Sequence, residues 1–274
     1  MKKNKQPFAK KSFGQNFLVN PNIIEKIILA LAPQAGETIV EIGPGRGALT
    51  EKLLDAGAHV IAVELERDMI AVLKEKFGAA ENFELVEGDA LKVDFRELTK
   101  TAEKGAQTKL VANLPYYIST AILQRLIEQR AIFSEMILMF QREVVERITA
   151  PAGSKARGFL TVLVEQYLET EKLFDVPPDA FHPAPKVWSA VVRLITKIDK
   201  ENSKTDEKLF REIISAGFAQ KRKTILNNLK NAPPELKAKI GDAEKLLDKS
   251  GIRITARAEA LSLEDWQKIL GALT

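Results

Sequence analysis

The hydrophobic and polar positions along the first two thirds of the chain alternate between two periods. Short apolar runs predict buried strands, and apolar residues spaced three or four positions apart predict helices. The predicted strands are 38–42, 59–64, 83–86, 109–112, 135–140, 170–175 and 187–195, and the predicted helices are 22–32, about 48–56, 68–77, one from about 119, 141–149 and 158–168. Such alternation predicts an α/β fold with a parallel sheet between helices, and the two late strands predict an antiparallel hairpin at one edge.

The pattern changes after the last predicted strand. A polar stretch from Lys197 to Asp206 resembles a linker, and the segments beyond it have helical periodicity only. The predicted helices there are 207–218, 221–230, 243–249 and 256–272. The sequence therefore predicts an α/β domain over 1–198, which begins with an N-terminal segment over 1–20, and a small α-helical domain over 199–274.

Composition narrows the possible chemistry. The chain has 274 residues, no cysteine and two histidines that lie far apart. The absence of cysteine excludes disulfides, thiolate catalysis and cysteine-based zinc sites, and we expect no metal site. No apolar run approaches the ~20 residues of a membrane helix, and no apolar signal region follows the N-terminal lysines. We therefore expect a cytoplasmic protein without a membrane segment.

The positive charge is concentrated at the two ends of the chain. Five lysines and no acidic residue occur in residues 1–11, and residues 200–274 carry 15 basic and 11 acidic side chains. Basic segments that flank an acidic middle suggest a polyanionic partner. Ordinary solubilising lysines are the alternative explanation.

A glycine loop, Glu41-Ile42-Gly43-Pro44-Gly45-Arg46-Gly47, joins the first predicted strand to a helix. Glycines at such a place let the backbone turn tightly and approach a ligand. Glu64 ends the next strand, where a carboxylate can accept hydrogen bonds from the ribose of an adenosine cofactor. These features alone are compatible with NAD and with S-adenosylmethionine.

Three details favour S-adenosylmethionine. The spacing is G-x-G-x-G rather than the G-x-G-x-x-G that seats a pyrophosphate. Glu41 precedes the first glycine, where an anion would be unfavourable beside a diphosphate, although it could also serve only to support the loop. Asp89 follows the third strand, where it could accept from the exocyclic amine of adenine. The alternative for the whole set is a tight turn with surface acids.

A second motif, Asn113-Leu114-Pro115-Tyr116, follows the fourth strand, at the edge where α/β sheets bind ligands. An adenine N6 nitrogen is a weak nucleophile because its lone pair is delocalised into the ring. The Asn113 side-chain carbonyl and a main-chain carbonyl near Leu114 could accept hydrogen bonds from its two N–H groups. Pro115 stiffens the turn, and Tyr116 offers a flat face for the base. Catalysis would then be positioning without a general base. The alternative is an Asx-type turn with a packed tyrosine.

Further motifs appear in order along almost the whole chain. They are Gly14-Gln15-Asn16-Phe17-Leu18, the glycine loop, Gly88-Asp89-Ala90-Leu91, Asn113-Leu114-Pro115-Tyr116, Gln141-Arg142-Glu143-Val144, Phe181-His182-Pro183-Ala184-Pro185-Lys186-Val187, Phe218-Ala219-Gln220-Lys221-Arg222-Lys223-Thr224 and Asn227-Asn228-Leu229. In these motifs the chain resembles the ribosomal RNA adenine dimethylase family. The resemblance implies a Rossmann-like S-adenosylmethionine-dependent methyltransferase domain with a small C-terminal helical domain.

The resemblance also implies a substrate. The family dimethylates N6 of two adjacent adenines in a hairpin loop near the 3′ end of small-subunit ribosomal RNA, so the expected partner is the RNA of an assembling small subunit. We expect a monomer.

The resemblance assigns roles to individual residues. The expected cofactor contacts are Asn16, Leu18, Gly43, Gly45, Glu64, Leu65, Asp89, Ala90 and Asn113. The expected catalytic residues are Asn113, Leu114, Pro115, Tyr116 and Phe181, with Phe181 stacked on the flipped adenine opposite Tyr116. The expected RNA contacts are Lys221, Arg222 and Lys223, for which a solvated helix end is the alternative.

Tyr117 departs from the family pattern, in which many relatives have Asn, and this puts the packing of the loop in question. Phe13 and Phe17 could face the substrate or the core, and we expect Trp188 and Trp266 to be core residues. The alternative functions are a large-subunit adenine methyltransferase of the macrolide-resistance type, a non-catalytic ribosome assembly factor and, more remotely, an NAD-dependent dehydrogenase.

Overall fold

The computed structural model describes residues 16–100, 108–197 and 206–273. The N-terminal lysines, Phe13, the first two residues of the Gly14-Gln15-Asn16 motif and most of the expected linker lie outside the described residues. Backbone contacts divide the chain into two compact units. One contains the residues up to Val145 together with Glu169–Thr196, and the other contains Glu146–Leu168 together with the residues from Lys197 onward.

The first unit is built around a seven-stranded sheet. The strands of this unit are β1 (Phe17–Leu18), β2 (Thr38–Ile42), β3 (His59–Glu64), β4 (Phe83–Glu87), β5 (Thr108–Asn113), β6 (Phe133–Gln141), β7 (Leu168–Val176), β8 (Phe181–His182) and β9 (Ser189–Thr196). Its helices are α1 (Pro21–Leu31), α2 (Ala48–Asp55), α3 (Arg67–Phe77), α4 (Phe95–Leu98) and α5 (Ser119–Glu128), and α6 (Arg142–Ile148) leads into the second unit. The order in the sheet is β4-β3-β2-β5-β6-β9-β7, and β1 pairs with β8 in a separate two-stranded ladder.

The direction of the strands confirms the predicted α/β class. Strands β2 to β6 are parallel to their neighbours, whereas β9 runs antiparallel to β6 and β7 lies at the edge beyond it. Because parallel strands end at the same edge, the segments that follow β2, β3, β4 and β5 meet there. Both late strands lie at one edge of the sheet, as expected.

Helix α1 shows how the local sequence sets an element. The Asn20 side chain accepts hydrogen bonds from the amides of Asn22 (3.0 Å) and Ile23 (3.3 Å), and Pro21 occupies the first turn. Both features favour a helix start. Ile23, Ile27 and Leu31 then share one face and are buried in the core.

The second unit is helical. Its helices are α7 (Phe159–Tyr167), α8 (Glu207–Gly217), α9 (Ile225–Lys230), α10 (Pro234–Ile240), α11 (Ala243–Lys249) and α12 (Leu263–Gly271). Helix α7 precedes the expected domain boundary at residue 198 in the sequence, but its backbone contacts group it with the C-terminal helices. The reason is its apolar face, on which the Tyr167 ring packs edge-to-face against Phe210 with 6.5 Å between ring centroids.

A buried arginine fixes the segment before α7 to the end of the chain. The Arg157 guanidinium donates to the carbonyl oxygens of Ala150 and Leu261, both at 3.1 Å, and to the Glu165 carboxylate at 2.6 Å. Arg157 is only 3% exposed, so these partners satisfy a charge that would otherwise be unfavourable to bury.

Two predicted helices begin later than expected. Helix α9 begins at Ile225 rather than at residue 221, because the Thr224 side chain caps it by accepting from the Asn227 amide at 3.3 Å. The segment 256–272 forms a short 3₁₀ turn and then α12, which Ser262 and Asp265 start with a capping box. Helix α10 was not predicted from the pattern, although Pro234 at its first position is a helix-start signal.

No helix in the described ranges combines the length and the apolar character needed to cross a membrane.

We predict that Gly217→Ala destabilises the protein by about 1–3 kcal/mol. A Cβ at this position of α8 would overlap the Trp266 ring and lie 2.9 Å from Ile225 Cδ1. Gly271→Ala, at the end of α12, is the matched control because a Cβ there meets no atom within 4 Å. Urea unfolding of both variants would check this, and equal stabilities would contradict it.

Candidate functional site

The site lies at the edge where the parallel strands end. Ile42 of β2 pairs with Val63 of β3 and with Ala112 of β5, so the residues that follow these three strands are level with one another. This register brings the glycine loop, Glu64 and Asn113 together, although they are far apart in the sequence.

The Glu64 carboxylate connects the glycine loop to the turn after β3. It accepts hydrogen bonds from the amides of Gly45 (3.2 Å), Leu65 (2.9 Å) and Glu66 (2.9 Å). Burial raises the pKa of Glu64, and these amides oppose the shift by stabilising the charged form. Because a carboxylate has about four acceptor positions, these bonds leave room for about one ribose hydroxyl rather than two.

The amides of the glycine loop are used within the protein. Gly43 donates to the Val63 carbonyl (2.9 Å), Gly45 donates to Glu64 (3.2 Å), and Gly47 donates to the Pro44 carbonyl (2.9 Å). A diphosphate site needs amides that point at the ligand. These three amides are therefore not available to a diphosphate.

Glu41 supports the loop from below. It is 2% exposed, and its carboxylate accepts a hydrogen bond from the Thr50 hydroxyl of α2 at 2.6 Å. Burial raises the pKa of Glu41 to about 7, with a further contribution from the nearby charge of Glu64. This geometry agrees with the supporting role weighed from the sequence.

A cavity of about 390 Å³ lies beside the loop, within the usual size range of a small-molecule site. Its lining includes Asn16, Leu18, Gly43, Gly45, Glu64, Asn113, Leu114, Pro115 and Tyr116. We call it the first cavity. It brings together residues that the sequence analysis assigned separately to catalysis and to cofactor binding.

A second cavity of about 100 Å³ adjoins the first and is lined by Leu65, Asp89 and Ala90, among others. Gly43, Glu64 and Pro115 line both cavities. Gly43 has a φ of +65°, and a Cβ there would meet no atom within 4 Å, so the glycine keeps the junction open. An elongated adenosine-containing cofactor fits such a pair of cavities. The described residues contain no cluster of three or more potential metal ligands.

Asn113 and Tyr116 are each held by one side-chain hydrogen bond. Asn113 Nδ2 donates to the Asn16 carbonyl at 3.3 Å, which leaves its Oδ1 as an acceptor. The Tyr116 hydroxyl lies 2.6 Å from Ser189 Oγ. Burial raises the pKa of Tyr116 above its ordinary value, and the bond to Ser189 offsets part of that shift.

The structure also gives the burial of three further aromatic residues. The Phe181 side chain is 3% exposed and packs in the hydrophobic core, and it is not among the residues that line either cavity. Trp188 was expected in the core but is 44% exposed, whereas Trp266 is fully buried as expected.

Tyr117 leaves the loop intact. The turn closes with a 3.2 Å hydrogen bond from the Ile118 amide to the Pro115 carbonyl, and the Tyr117 side chain is 61% exposed. It lines the second cavity. Tyr116 thus lines the first cavity, and the adjacent Tyr117 lines the second.

Two basic side chains that line the first cavity, Arg46 and Lys76, were not predicted from the sequence. The Arg46 guanidinium lies 4.5 Å from the centroid of the Phe17 ring, and Lys76 Nζ donates to the Arg46 carbonyl at 2.9 Å. The position of Arg46 inside the glycine loop was a usable signal. Lys76 lies at the end of α3, and nothing local marks it.

The expected RNA-contacting residues lie in the second unit. Lys221, Arg222 and Lys223 are exposed in the turn before α9, and Lys221 Nζ donates to the Lys155 carbonyl at 2.8 Å. They directly precede Thr224, the N-cap of α9.

The comparisons with known proteins agree with this geometry. The profile of the family described as ribosomal RNA adenine dimethylase matches residues 7–273. The chain belongs to this family. The ribosomal RNA small subunit methyltransferase A of Thiobacillus denitrificans is 44% identical over 266 residues, which cover 96% of this chain and 97% of that protein. The Lactococcus lactis protein of the same name is 42% identical, over 96% of this chain and 90% of the relative.

Solved structures confirm the methyltransferase fold. A dimethyladenosine transferase from Plasmodium falciparum superimposes with a TM-score of 0.76 at 28% identity, over 92% of this chain and 95% of that chain. The 23S rRNA methyltransferase ErmE superimposes with a TM-score of 0.67 at 24% identity, over 94% of this chain and 99% of that chain. At that identity the second likeness shows the fold alone.

We predict that Glu41 makes the folded protein less stable as the pH rises. Its carboxyl binds a proton more tightly in the folded protein than in the unfolded chain, so stability falls between pH 4.5 and about 7. Glu41→Gln, which keeps a partner for Thr50, should remove about 3 kcal/mol of this dependence. Urea unfolding of both proteins at pH 5 and pH 8 would check it. A constant difference between them would contradict it.

Proposed function

We propose that this protein transfers methyl groups from S-adenosylmethionine to N6 of two adjacent adenines in a hairpin loop near the 3′ end of small-subunit ribosomal RNA. Membership of the ribosomal RNA adenine dimethylase family supports the reaction. The names of the relatives, ribosomal RNA small subunit methyltransferase A, support the substrate.

One observation carries the proposal. Asn113 and Tyr116 line the first cavity, and this cavity meets the second at Gly43, Glu64 and Pro115. A base held by Asn113 and Tyr116 would therefore lie beside the junction of the two cavities, which the cofactor would span.

The adenosine part of the cofactor would lie at the second cavity and its other end in the first cavity. Glu64 would accept from the ribose, Asp89 would accept from the adenine amine, and Leu65 and Ala90 would form apolar walls. The other end of the cofactor would lie in the first cavity, against Asn16, Leu18, Gly43, Gly45 and Asn113. S-adenosylmethionine, when bound, supplies a methyl group that its sulfonium makes electrophilic.

The side chains around the target base position it without removing a proton beforehand. Asn113 Oδ1 and a main-chain carbonyl near Leu114 would accept hydrogen bonds from the N6–H groups and favour a more nucleophilic nitrogen. Pro115 holds this turn, and the ring of Tyr116 would stack on the base. Because burial raises the pKa of Tyr116, its hydroxyl stays protonated at neutral pH and does not serve as a base.

The exposed turn with Lys221, Arg222 and Lys223 would bind RNA phosphates. We expect the protein to act as a cytoplasmic monomer on an assembling small subunit.

Methyl transfer to purified, unmethylated small ribosomal subunits tests the proposal, with large subunits in parallel and primer extension to locate the product. We expect label from S-adenosylmethionine on two adjacent adenines near the small-subunit 3′ end. Label on the large subunit would favour the resistance-type activity. Cofactor binding without transfer to either subunit would favour an assembly factor.

We predict that Asn113→Ala lowers methyl transfer at least about 100-fold, the usual effect of removing one aligned polar group from a transition state. RNA affinity should change little, because the small side chain contributes little to the total interface. Single-turnover transfer and filter binding would measure the two quantities. Turnover equal to that of the unmodified protein would exclude the proposed role of Asn113.

We predict that Lys221→Glu with Arg222→Glu weakens RNA binding and flattens its salt dependence. Each lost phosphate contact should reduce the slope of log K against log salt by roughly 0.7–0.9. The control is Lys237→Glu with Lys245→Glu, which makes the same charge change on exposed residues of α10 and α11. Equal slopes for both double variants would remove the turn from the interface.

A further inference from the structure

An exposed tryptophan stands beside the site without a role in the proposed reaction. Trp188 is 44% exposed and the preceding Val187 is 43% exposed. Tryptophan has a large apolar face, so leaving nearly half of it in water forgoes stabilisation that burial would give. Tryptophan is enriched at interfaces, where its large ring contacts a partner.

The backbone places Trp188 at the same sheet edge as the target residues. Ser189 pairs with Gln141 at the end of β6, and the Arg142 amide donates to the Trp188 carbonyl at 2.9 Å. Ser189 also holds the Tyr116 hydroxyl at 2.6 Å. Trp188 therefore directly precedes, in the chain, the residue that holds the tyrosine on which the target base would stack.

The surroundings of the ring indicate what it receives. The Arg142 guanidinium lies 5.9 Å from the centroid of the Trp188 ring, and Lys186 is exposed two residues before it. A flat aromatic surface with cations beside it suits an unpaired nucleotide, whose base stacks while its phosphate meets the positive charge. An apolar protein surface would gain nothing from these cations.

We propose that Trp188 is a stacking platform for an unpaired RNA base next to the adenine held at Tyr116. The inference deepens the proposed function, because it assumes that the substrate is an RNA loop. A loop with two adjacent adenines presents such a neighbouring base whichever adenine is being modified.

The tryptophan fluorescence of the full chain reports on this contact. The sequence has two tryptophans, and Trp266 is fully buried, so iodide quenching reports mainly on Trp188. The probes are a short RNA hairpin with two adjacent adenines in its loop and a fully paired duplex of equal length. We expect the hairpin to change the emission and to protect it from iodide, whereas the duplex does neither. An unchanged signal at every hairpin concentration overturns the proposal.

Variants at position 188 provide the second measurement. Trp188→Leu should weaken binding to the hairpin and to unmethylated small subunits between about fivefold and a hundredfold, and Trp188→Phe by about threefold or less. Leu29→Ala, at a 69% exposed residue of α1, is the control and should bind like the unmodified protein. Weaker binding of Trp188→Leu to subunits alone would point to a protein contact and overturn the proposal.

These measurements are made without cofactor, so they do not depend on methyl transfer. If transfer to small subunits fails while the hairpin still protects Trp188, the proposed function fails and the stacking platform remains. If transfer succeeds and Trp188→Leu binds both RNAs normally, the platform alone is excluded.

Discussion

The buried carboxylate of Glu64 is the contact on which the geometry of the site depends. A charge with so little exposure must be satisfied by the protein, and three amides from the glycine loop and the turn after β3 do this. The same bonds fix the path of the loop, so the loop conformation and the position of the carboxylate determine each other. Both cavities meet at this point, and a change at Glu64 would therefore affect cofactor and target together.

A second constraint comes from the start of the described chain. The Asn16 carbonyl accepts a hydrogen bond from Asn113 Nδ2. The Phe17 ring lies under the Arg46 guanidinium, and Leu18 pairs with Phe181. Residues 16–18 thus touch Asn113, the glycine loop and the core in three successive positions. The orientation of the Asn113 amide, and with it the acceptor offered to a target base, depends on a backbone group far away in the sequence.

The parts of the site that follow parallel strands could be predicted, because strand ends meet at a common edge whatever the loops contain. This rule correctly grouped the glycine loop, Glu64, Asp89 and Asn113. The exposure of Trp188 could not be predicted, because a large apolar ring favours the core in a sequence pattern, and only the folded chain shows that nothing buries it fully. The grouping of α7 with the C-terminal helices could not be seen in the sequence pattern, because its partners lie beyond the linker.

The electrostatics of the first cavity favour positioning over proton transfer. Glu41 is hydrogen-bonded to Thr50 beneath the loop, and Glu64 is occupied by amides, so neither carboxylate is aimed at a target base. Tyr116 is held by Ser189, and burial raises its pKa. On the side of Asn113, the groups that a target base would meet are Asn113 Oδ1 and the carbonyls of a proline-stiffened turn. Neutral acceptors of this kind can orient an amine but cannot deprotonate it, which suits an acceptor nitrogen that loses its proton only after the new bond has formed.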